Sequence, residues 1–133
     1  SARLRSPVVD DVSVVSELLG GIAARDRNRI AACFAPDAQL RALTPHQLRE
    51  RTGPDAIAER YACWLDPLER FEVTSSDVER IADRVRLRYR FRGRDPAKGW
   101  QENEHTAYAA VLEGRIVALN LSCAGFRPVE PPS

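Results

Sequence analysis

The sequence predicts an α+β protein in which three helices pack on a curved, mostly antiparallel sheet. Two features of the chain support this prediction. Apolar residues recur at spacings of three and four up to about residue 68, and from there the apolar period changes to two. Helices with one strand among them, followed by an antiparallel meander, are typical of a sheet wrapped on helices.

The first helix is predicted from an apolar stripe: Val8, Val12, Val15, Leu19 and Ile22. Gly20 and Gly21 interrupt the stripe. Glycine costs about 1 kcal/mol relative to alanine in a helix, so this pair indicates that another segment approaches closely. Asp26 is expected to cap a short second helix, RNRIAACF, which Pro36 ends. The run DAQLRAL is predicted to be a strand.

The third helix is predicted to begin in Gly-Pro-Asp, because proline suits the first turn and Asp55 complements the helix dipole. Its apolar stripe consists of Ile57, Tyr61, Trp64 and Leu68. The run RVRLRYRFR alternates apolar residues with arginines, which predicts a strand with an arginine row on its outer face. GRDPAKG is predicted to be a loop. ENEHTAYAAVL and RIVALNLSC are predicted to be strands joined by the tight turn EG.

The composition argues against several classes of protein. A net charge of +1 gives no general attraction to nucleic acid or to a membrane surface. The chain has three cysteines, and they are not spaced as metal ligands are: Cys33, Cys63 and Cys123. Free thiols are therefore expected rather than a metal site or disulfides. No segment approaches the roughly 18 apolar residues of a membrane span, and Asp10 and Asp11 interrupt the run that a signal peptide would need. A cytoplasmic protein is expected.

The order and spacing of these segments resemble the nuclear transport factor 2-like superfamily, in its SnoaL-like and ketosteroid isomerase-like branch. The resemblance is carried by GIAARDRNRIAACFAPDAQL, GPDAIAERYACWL, EGRIVALNL and CAGFRP. It implies a cone-shaped α+β barrel with a ligand pocket between the sheet and the helices, and a homodimer formed through the sheet. The expected single SnoaL-like domain spans residues 1–133, with a core at 8–126 and a flexible tail at 127–133.

The resemblance also bears on activity. Ketosteroid isomerase uses a helix-1 tyrosine, a carboxylate base and a protonated acid, and the matching positions here hold Leu18, Ala42 and Tyr108. Standard steroid isomerisation is therefore not expected. The resemblance implies a cofactor-free and metal-free cyclase or isomerase of a small, apolar, oxygenated, polyketide-like substrate. A non-catalytic ligand-binding or dimerisation module is the alternative. Epoxide hydrolase chemistry ranks last, because no Asp-Arg-Asp group occupies fitting positions.

The arginine-bearing strand can pair with the next strand in two registers. In the favoured register Arg92 lies opposite Gln101, and Glu104 and Tyr108 face the cavity. A shift by one residue reverses the two faces and turns His105 inward. The first register turns the bulkier side chains of the second strand toward the cavity. Burying one leucine contributes roughly 1.5–3 kcal/mol, which favours this register. Cross-strand Arg/Glu pairs, worth roughly 0.2–1 kcal/mol each, favour the second.

Glu104, His105 and Tyr108 are the candidate catalytic residues. Burial would raise the carboxyl pKa of Glu104 and suit it to proton transfer, while Tyr108 could stabilise an oxyanion. His105 is the alternative base. The ordinary alternatives are a surface ion pair for Glu104, a satisfied or exposed His105 and a core Tyr108. The expected substrate-binding residues are Phe34, Tyr61, Trp64, Tyr89, Leu121 and Cys123. The segment TPHQLRER is expected at the pocket mouth.

Overall fold

The structure is a computed structural model that describes residues 7–132, with side chains described from residue 11 onward. Within this range the helices are α1 (Pro7–Ala24), α2 (Arg27–Ala32) and α3 (Pro54–Leu65). The strands are β1 (Phe34–Leu43), β2 (Leu48–Thr52), β3 (Glu69–Ile81), β4 (Arg84–Asp95), β5 (Gly99–Leu112), β6 (Arg115–Cys123) and β7 (Arg127–Pro128). The predicted α+β class is confirmed. The Val8 side chain, residues 1–6 and Ser133 lie outside the described residues.

The strands form one curved, open sheet in the order β2-β1-β6-β5-β4-β3, with β7 added to β5. The β1–β6 pair is parallel and the other pairs are antiparallel. Strand β2 was not predicted, because its sequence LRERT has no apolar alternation. Its residues are exposed or half-buried, and it is held by pairing with β1 along Gln39–Leu43.

The helices cover the concave face of the sheet. Helix α1 buries Val15, Leu18 and Ile22. A Cβ atom added at Gly21 would lie 3.1 Å from the backbone nitrogen of Ile30 in α2, which confirms the predicted close approach at the glycine pair. The predicted N-cap of α2 is also confirmed, since the Asp26 carboxylate accepts a hydrogen bond from the backbone N–H of Arg29. Helix α3 begins at Pro54, as the Gly-Pro-Asp signal predicts.

Strand β4 confirms the alternation seen in RVRLRYRFR. Val85, Leu87, Tyr89 and Phe91 are at most 1% exposed and form the concave core. The arginines point outward, and several pair with acidic residues of the two neighbouring strands, as Arg86 does with Asp77 and Glu79 of β3 and Arg90 with Glu104 of β5. Carboxylates therefore offset much of the charge of the arginine row.

The favoured register of β4 with β5 is wrong, and the alternative is the observed one. Arg92 lies opposite Glu102, and the strands close at the Asp95–Gly99 pair. The turn fixes this register, because the Asp95 carboxylate accepts hydrogen bonds from the backbone N–H groups of Ala97 and Lys98. The expectation failed because it compared side-chain bulk and left the turn geometry out.

The first two residues of the predicted tail are part of the sheet. Arg127 and Pro128 form β7 and pair with Glu102 and Gln101 of β5. The Arg127 guanidinium also lies 2.8 Å from the Glu102 carboxylate. This short strand holds the chain end against the same strand that carries His105.

Candidate functional site

His105 lies at the centre of the concave face. It is on β5, directly opposite Tyr89 of β4, and its side chain is 0% exposed. The Tyr89 hydroxyl lies 2.7 Å from Nδ1 of the imidazole. The other nitrogen, Nε2, is buried and has no hydrogen-bond partner within residues 7–132. A buried polar atom without a partner is costly, so Nε2 is a natural contact for a ligand.

Aromatic rings surround this imidazole. The Trp64, Tyr89 and Phe91 ring centroids lie 4.8, 5.2 and 5.3 Å from that of His105, all edge-to-face. Burial, and to a smaller extent the charge of Arg60, lowers the pKa of His105 from 6.5 to about 3. The imidazole is therefore neutral at neutral pH.

Two buried phenols lie in the same interior. Tyr61 and Tyr89 are 0% and 1% exposed, and burial raises the pKa of both hydroxyls. The Tyr61 hydroxyl interacts with that of Tyr89 but lacks a well-formed hydrogen bond among the described residues. Leu18 and Ala42 are fully buried in the same core. The interior thus offers one imidazole and two phenols among mostly apolar residues.

Asn103 organises the rim of this interior. The side chain is fully buried, and its Oδ1 accepts hydrogen bonds from the backbone N–H groups of Gly125 and Glu104 at 3.0 and 2.7 Å. Its Nδ2 lies 3.3 Å from the sulfur of Cys123. These contacts fix the chain after β6 where it borders the open end of the cone. The role of Asn103 is to position that segment.

A groove of about 610 Å³ opens at this end of the cone. We call it the mouth groove, and it is lined by Thr44, Pro45, His46, Arg49, Arg60, Cys63, Trp64, Lys98, Cys123, Ala124, Gly125 and Phe126. Four residues of the segment TPHQLRER line this groove: Thr44, Pro45, His46 and Arg49. Trp64 lines the groove and also contacts His105. This indole therefore separates the groove from the buried imidazole.

The mouth groove is positively charged. Arg49, Arg60 and Lys98 line it together with His46, and the described residues contribute no carboxylate to its lining. The Arg60 guanidinium lies 4.6 Å from the centre of the Trp64 ring. Burial, followed by the charge of Arg49, lowers the pKa of Arg60. Its Nε is buried without a hydrogen-bond partner in the described part of the chain.

The structure does not bring Glu104, His105 and Tyr108 together. The Glu104 side chain is 33% exposed and lies 3.3 Å from the Arg90 guanidinium on the outer face. Tyr108 is 41% exposed on the same outer face. The inward orientation predicted for Glu104 and Tyr108 is wrong, because the observed register places even-numbered residues of β5 outside. His105 alone of the three lies in the cone.

The expected substrate-binding residues lie at two depths. Phe34, Tyr61, Tyr89 and Leu121 belong to the buried core, whereas Trp64 and Cys123 also border the mouth groove. The sequence reasoning missed Arg49, Arg60 and Lys98. The sequence could have placed Arg60 next to Trp64, because residues four apart are neighbours on a helix surface.

The described residues offer neither a metal site nor a membrane-spanning helix. Within residues 7–132, no three His, Cys, Asp or Glu side chains are grouped as a metal ion would require. None of the described helices has both the length and the apolar character needed to cross a bilayer.

An open curved sheet covered by three helices, with a groove at its open end, defines the nuclear transport factor 2-like class of folds. The chain belongs to the SnoaL-like domain family, whose model matches residues 15–119. Among curated proteins, no sequence relative matches the chain.

Solved structures share the fold at low sequence identity. A candidate polyketide cyclase from Xanthomonas campestris is 16% identical, covers 88% of this chain and 92% of its own, and has a TM-score of 0.70. A candidate SnoaL-like polyketide cyclase from Jannaschia is 16% identical over 92% and 91% of the two chains, with a TM-score of 0.70. A phenazine biosynthesis-related protein from Pseudomonas aeruginosa is 16% identical over 90% and 80%, with a TM-score of 0.65. At these identities the likeness shows the fold alone.

Proposed function

We propose that the chain is a cyclase or isomerase that transfers protons on a small, largely apolar, oxygenated molecule of polyketide type, without a cofactor. The observation that carries this proposal is the buried His105, whose Nδ1 is occupied by Tyr89 and whose Nε2 is left for a ligand. The resemblance of the fold to candidate polyketide cyclases supports the choice of substrate class. We place the protein in the cytoplasm.

His105 is the proposed acid–base group. A neutral imidazole can accept a proton at one nitrogen and hold one at the other. Because Tyr89 is bonded to Nδ1, the substrate contacts Nε2. The resting pKa of about 3 makes this imidazole a weak base. Base catalysis therefore requires a bound ligand to raise that pKa, for example by bringing negative charge near the ring.

The Trp64 ring must move for a ligand to reach Nε2 from the mouth groove. It is 6% exposed and contacts the imidazole on its inner side. Rotation of this side chain would join the groove to the interior. The substrate would then lie between Trp64 and the phenols of Tyr61 and Tyr89, which are suited to hold an oxygen atom.

Deuterium exchange tests this proposal even while the natural substrate is unidentified. Cyclic ketones with acidic α-hydrogens are incubated with the protein in heavy water, and deuterium incorporation is followed by NMR. The wild type should accelerate exchange of at least one ketone over buffer, and His105→Gln should abolish this acceleration. Glu104→Gln, outside the cone, serves as the control and should retain it. Full exchange by His105→Gln would reject the assigned role.

The alternative is a binding module without catalysis. Leu18 and Ala42 favour it, because apolar side chains occupy the positions that correspond to two isomerase groups. In this case a ketone would bind and shift the NMR signals of the His105 ring. Neither the wild type nor any variant would accelerate deuterium exchange over buffer.

We further propose a homodimer formed through the outer face of the sheet. Leu43, Leu48 and Tyr108 are 58%, 45% and 41% exposed and line one shallow groove of about 310 Å³. Exposed apolar residues grouped in this way are typical of an interface. Sedimentation should show a dimer for the wild type and a monomer for Leu43→Lys. A monomeric wild type at micromolar concentration would contradict this proposal.

A further inference from the structure

Three cations lie together at the open end of the cone. Arg49, Arg60 and Lys98 line the mouth groove and make no ion pair within residues 11–132. The nearest acidic residues in the sequence are engaged elsewhere. Glu59 lies 2.8 Å from Arg27, and Glu50 lies 3.0 Å from Arg41.

Arg60 is the cation best placed to receive an anion. Its guanidinium lies over the Trp64 ring, which holds a long side chain in one position. Its terminal nitrogens make no hydrogen bond to the described residues and, unlike its Nε, are not buried. The planar fork of a guanidinium matches the two oxygens of a carboxylate.

The groove also offers apolar surface next to these charges. Trp64 and Phe126 line it, and Phe126 is 42% exposed. A flat ring can pack against such aromatic side chains. One acidic group does border the adjoining pocket, but the Asp95 carboxylate is engaged with the backbone of Ala97 and Lys98.

We propose that the mouth groove binds the carboxylate of an aromatic or cyclic acid, with Arg60 as the principal contact and Arg49 and Lys98 beside it. This inference rests on the proposed function and names the class of its substrate as a carboxylated ring. A carboxylate bound to Arg60 would also offset the charge of Arg60, which is the smaller of the two causes that lower the pKa of His105.

A matched pair of ligands tests the charge requirement. Naphthoate and its methyl ester have the same ring, and only the acid carries a charge. Calorimetry should find that the wild type binds naphthoate about tenfold more tightly than the ester, as one charge-assisted hydrogen bond would give. Added salt should weaken binding of the acid alone, because the groove is open to solvent.

Variants locate the contact. Arg60→Gln should lower naphthoate affinity about tenfold and leave ester affinity unchanged, and Lys98→Gln should act in the same direction if Arg60→Gln does not fold. Arg115→Gln removes the same charge at the first residue of β6, opposite Leu112 at the end of β5 that is far from Lys98, and should change neither affinity. Equal binding of acid and ester by the wild type would overturn the inference and leave the proposed proton transfer intact. Tighter binding of inorganic phosphate than of naphthoate would overturn the carboxylate assignment.

Cys63 provides a second measurement that needs no ligand. It is the exposed cysteine of the chain and lies in the groove, whereas Cys33 and Cys123 are buried. The rate of each thiol reagent with Cys63 is divided by its rate with free cysteine. This ratio should be larger for a dianionic aromatic disulfide than for the neutral dithiodipyridine. This preference should fall several-fold in Arg60→Gln and persist in Arg115→Gln. Equal relative rates in the wild type would show that the groove does not attract anions.

Discussion

The hydroxyl of Tyr89 lies 2.7 Å from Nδ1 of His105, and the two residues are direct partners across β4 and β5. Because the contact joins facing residues of paired strands in the interior of the sheet, the backbone register fixes it. The ring of His105 therefore has one orientation, which leaves Nε2 without a hydrogen-bond partner among the described residues.

Tyr89→Phe tests the importance of this contact. Removal of the hydroxyl leaves Nδ1 of the buried imidazole without its partner, so we expect a loss of about 1–3 kcal/mol in the free energy of unfolding. Urea denaturation measures this change, and nitrogen NMR of the His105 ring should report an altered tautomer. Tyr108→Phe removes the same atom from a residue that is 41% exposed and should stay within about 0.5 kcal/mol of the wild type. Equal effects of the two substitutions would contradict the structure.

Acid should destabilise the protein through His105. The pKa of this imidazole is lowered from 6.5 to about 3 on folding, so between these pH values the unfolded chain binds a proton that the folded chain refuses. Above the unfolded-state pKa the imidazole is neutral in both states, and the protein has its full stability. The free energy of unfolding then decreases by up to about 1.4 kcal/mol per pH unit as the pH falls toward the folded-state pKa of His105.

The comparison that isolates this effect is wild type against His105→Gln in urea denaturation from pH 7 to pH 4. The wild type should lose stability more steeply, whereas His46→Gln, at an exposed position, should follow the wild-type profile. Parallel profiles for wild type and His105→Gln would mean that the imidazole is not buried in its neutral form.

Asn103→Ala should loosen the rim of the cone. The substitution leaves the backbone N–H groups of Gly125 and Glu104 without their acceptor, at a cost of about 1–3 kcal/mol. Since Asn103 also contacts the Cys123 sulfur, the Cys123 thiol should react faster with thiol reagents. Asn120→Ala on the exposed face of β6 is the matched control and should change neither quantity. An unreactive Cys123 in Asn103→Ala would argue that other contacts hold this segment.

The two neighbouring glycines of α1 should respond differently to alanine. At Gly20 the added Cβ meets the end of the flexible Arg29 side chain, whereas at Gly21 it lies 3.1 Å from the backbone of Ile30. We expect Gly20→Ala to be more stable than Gly21→Ala by about 1 kcal/mol, because only the first can gain helix propensity without displacing backbone. Thermal unfolding of the two variants decides this. The reverse order would contradict the packing of α1 on α2.

Much of the fold could be predicted because its signals are local. The change of apolar period from about 3.6 to two, the Asp26 cap and the Gly-Pro-Asp helix start each depend on a few adjacent residues. Strand β2 lacked such a signal, because LRERT is polar on both faces and owes its conformation to pairing with β1.

The site was less predictable because it depends on register and on distant segments. Both faces of ENEHTAYAAVL mix polar with apolar residues, so a one-residue shift changed which candidates faced inward. The cross-strand Arg/Glu pairing gave the correct answer, as Arg90 with Glu104 shows. Arg49, Arg60 and Lys98 come from three separate elements, and only the folded chain reveals that they line one groove.

Alternate side chains of strand β5 lie on opposite faces of the sheet. From position 101 to 107 the odd-numbered side chains are buried and the even-numbered ones are partly exposed. Laboratory evolution can therefore diversify alternate codons here, with one set altering the interior of the cone and the other altering the surface that meets solvent. A library built on this alternation would vary the two faces of the strand independently.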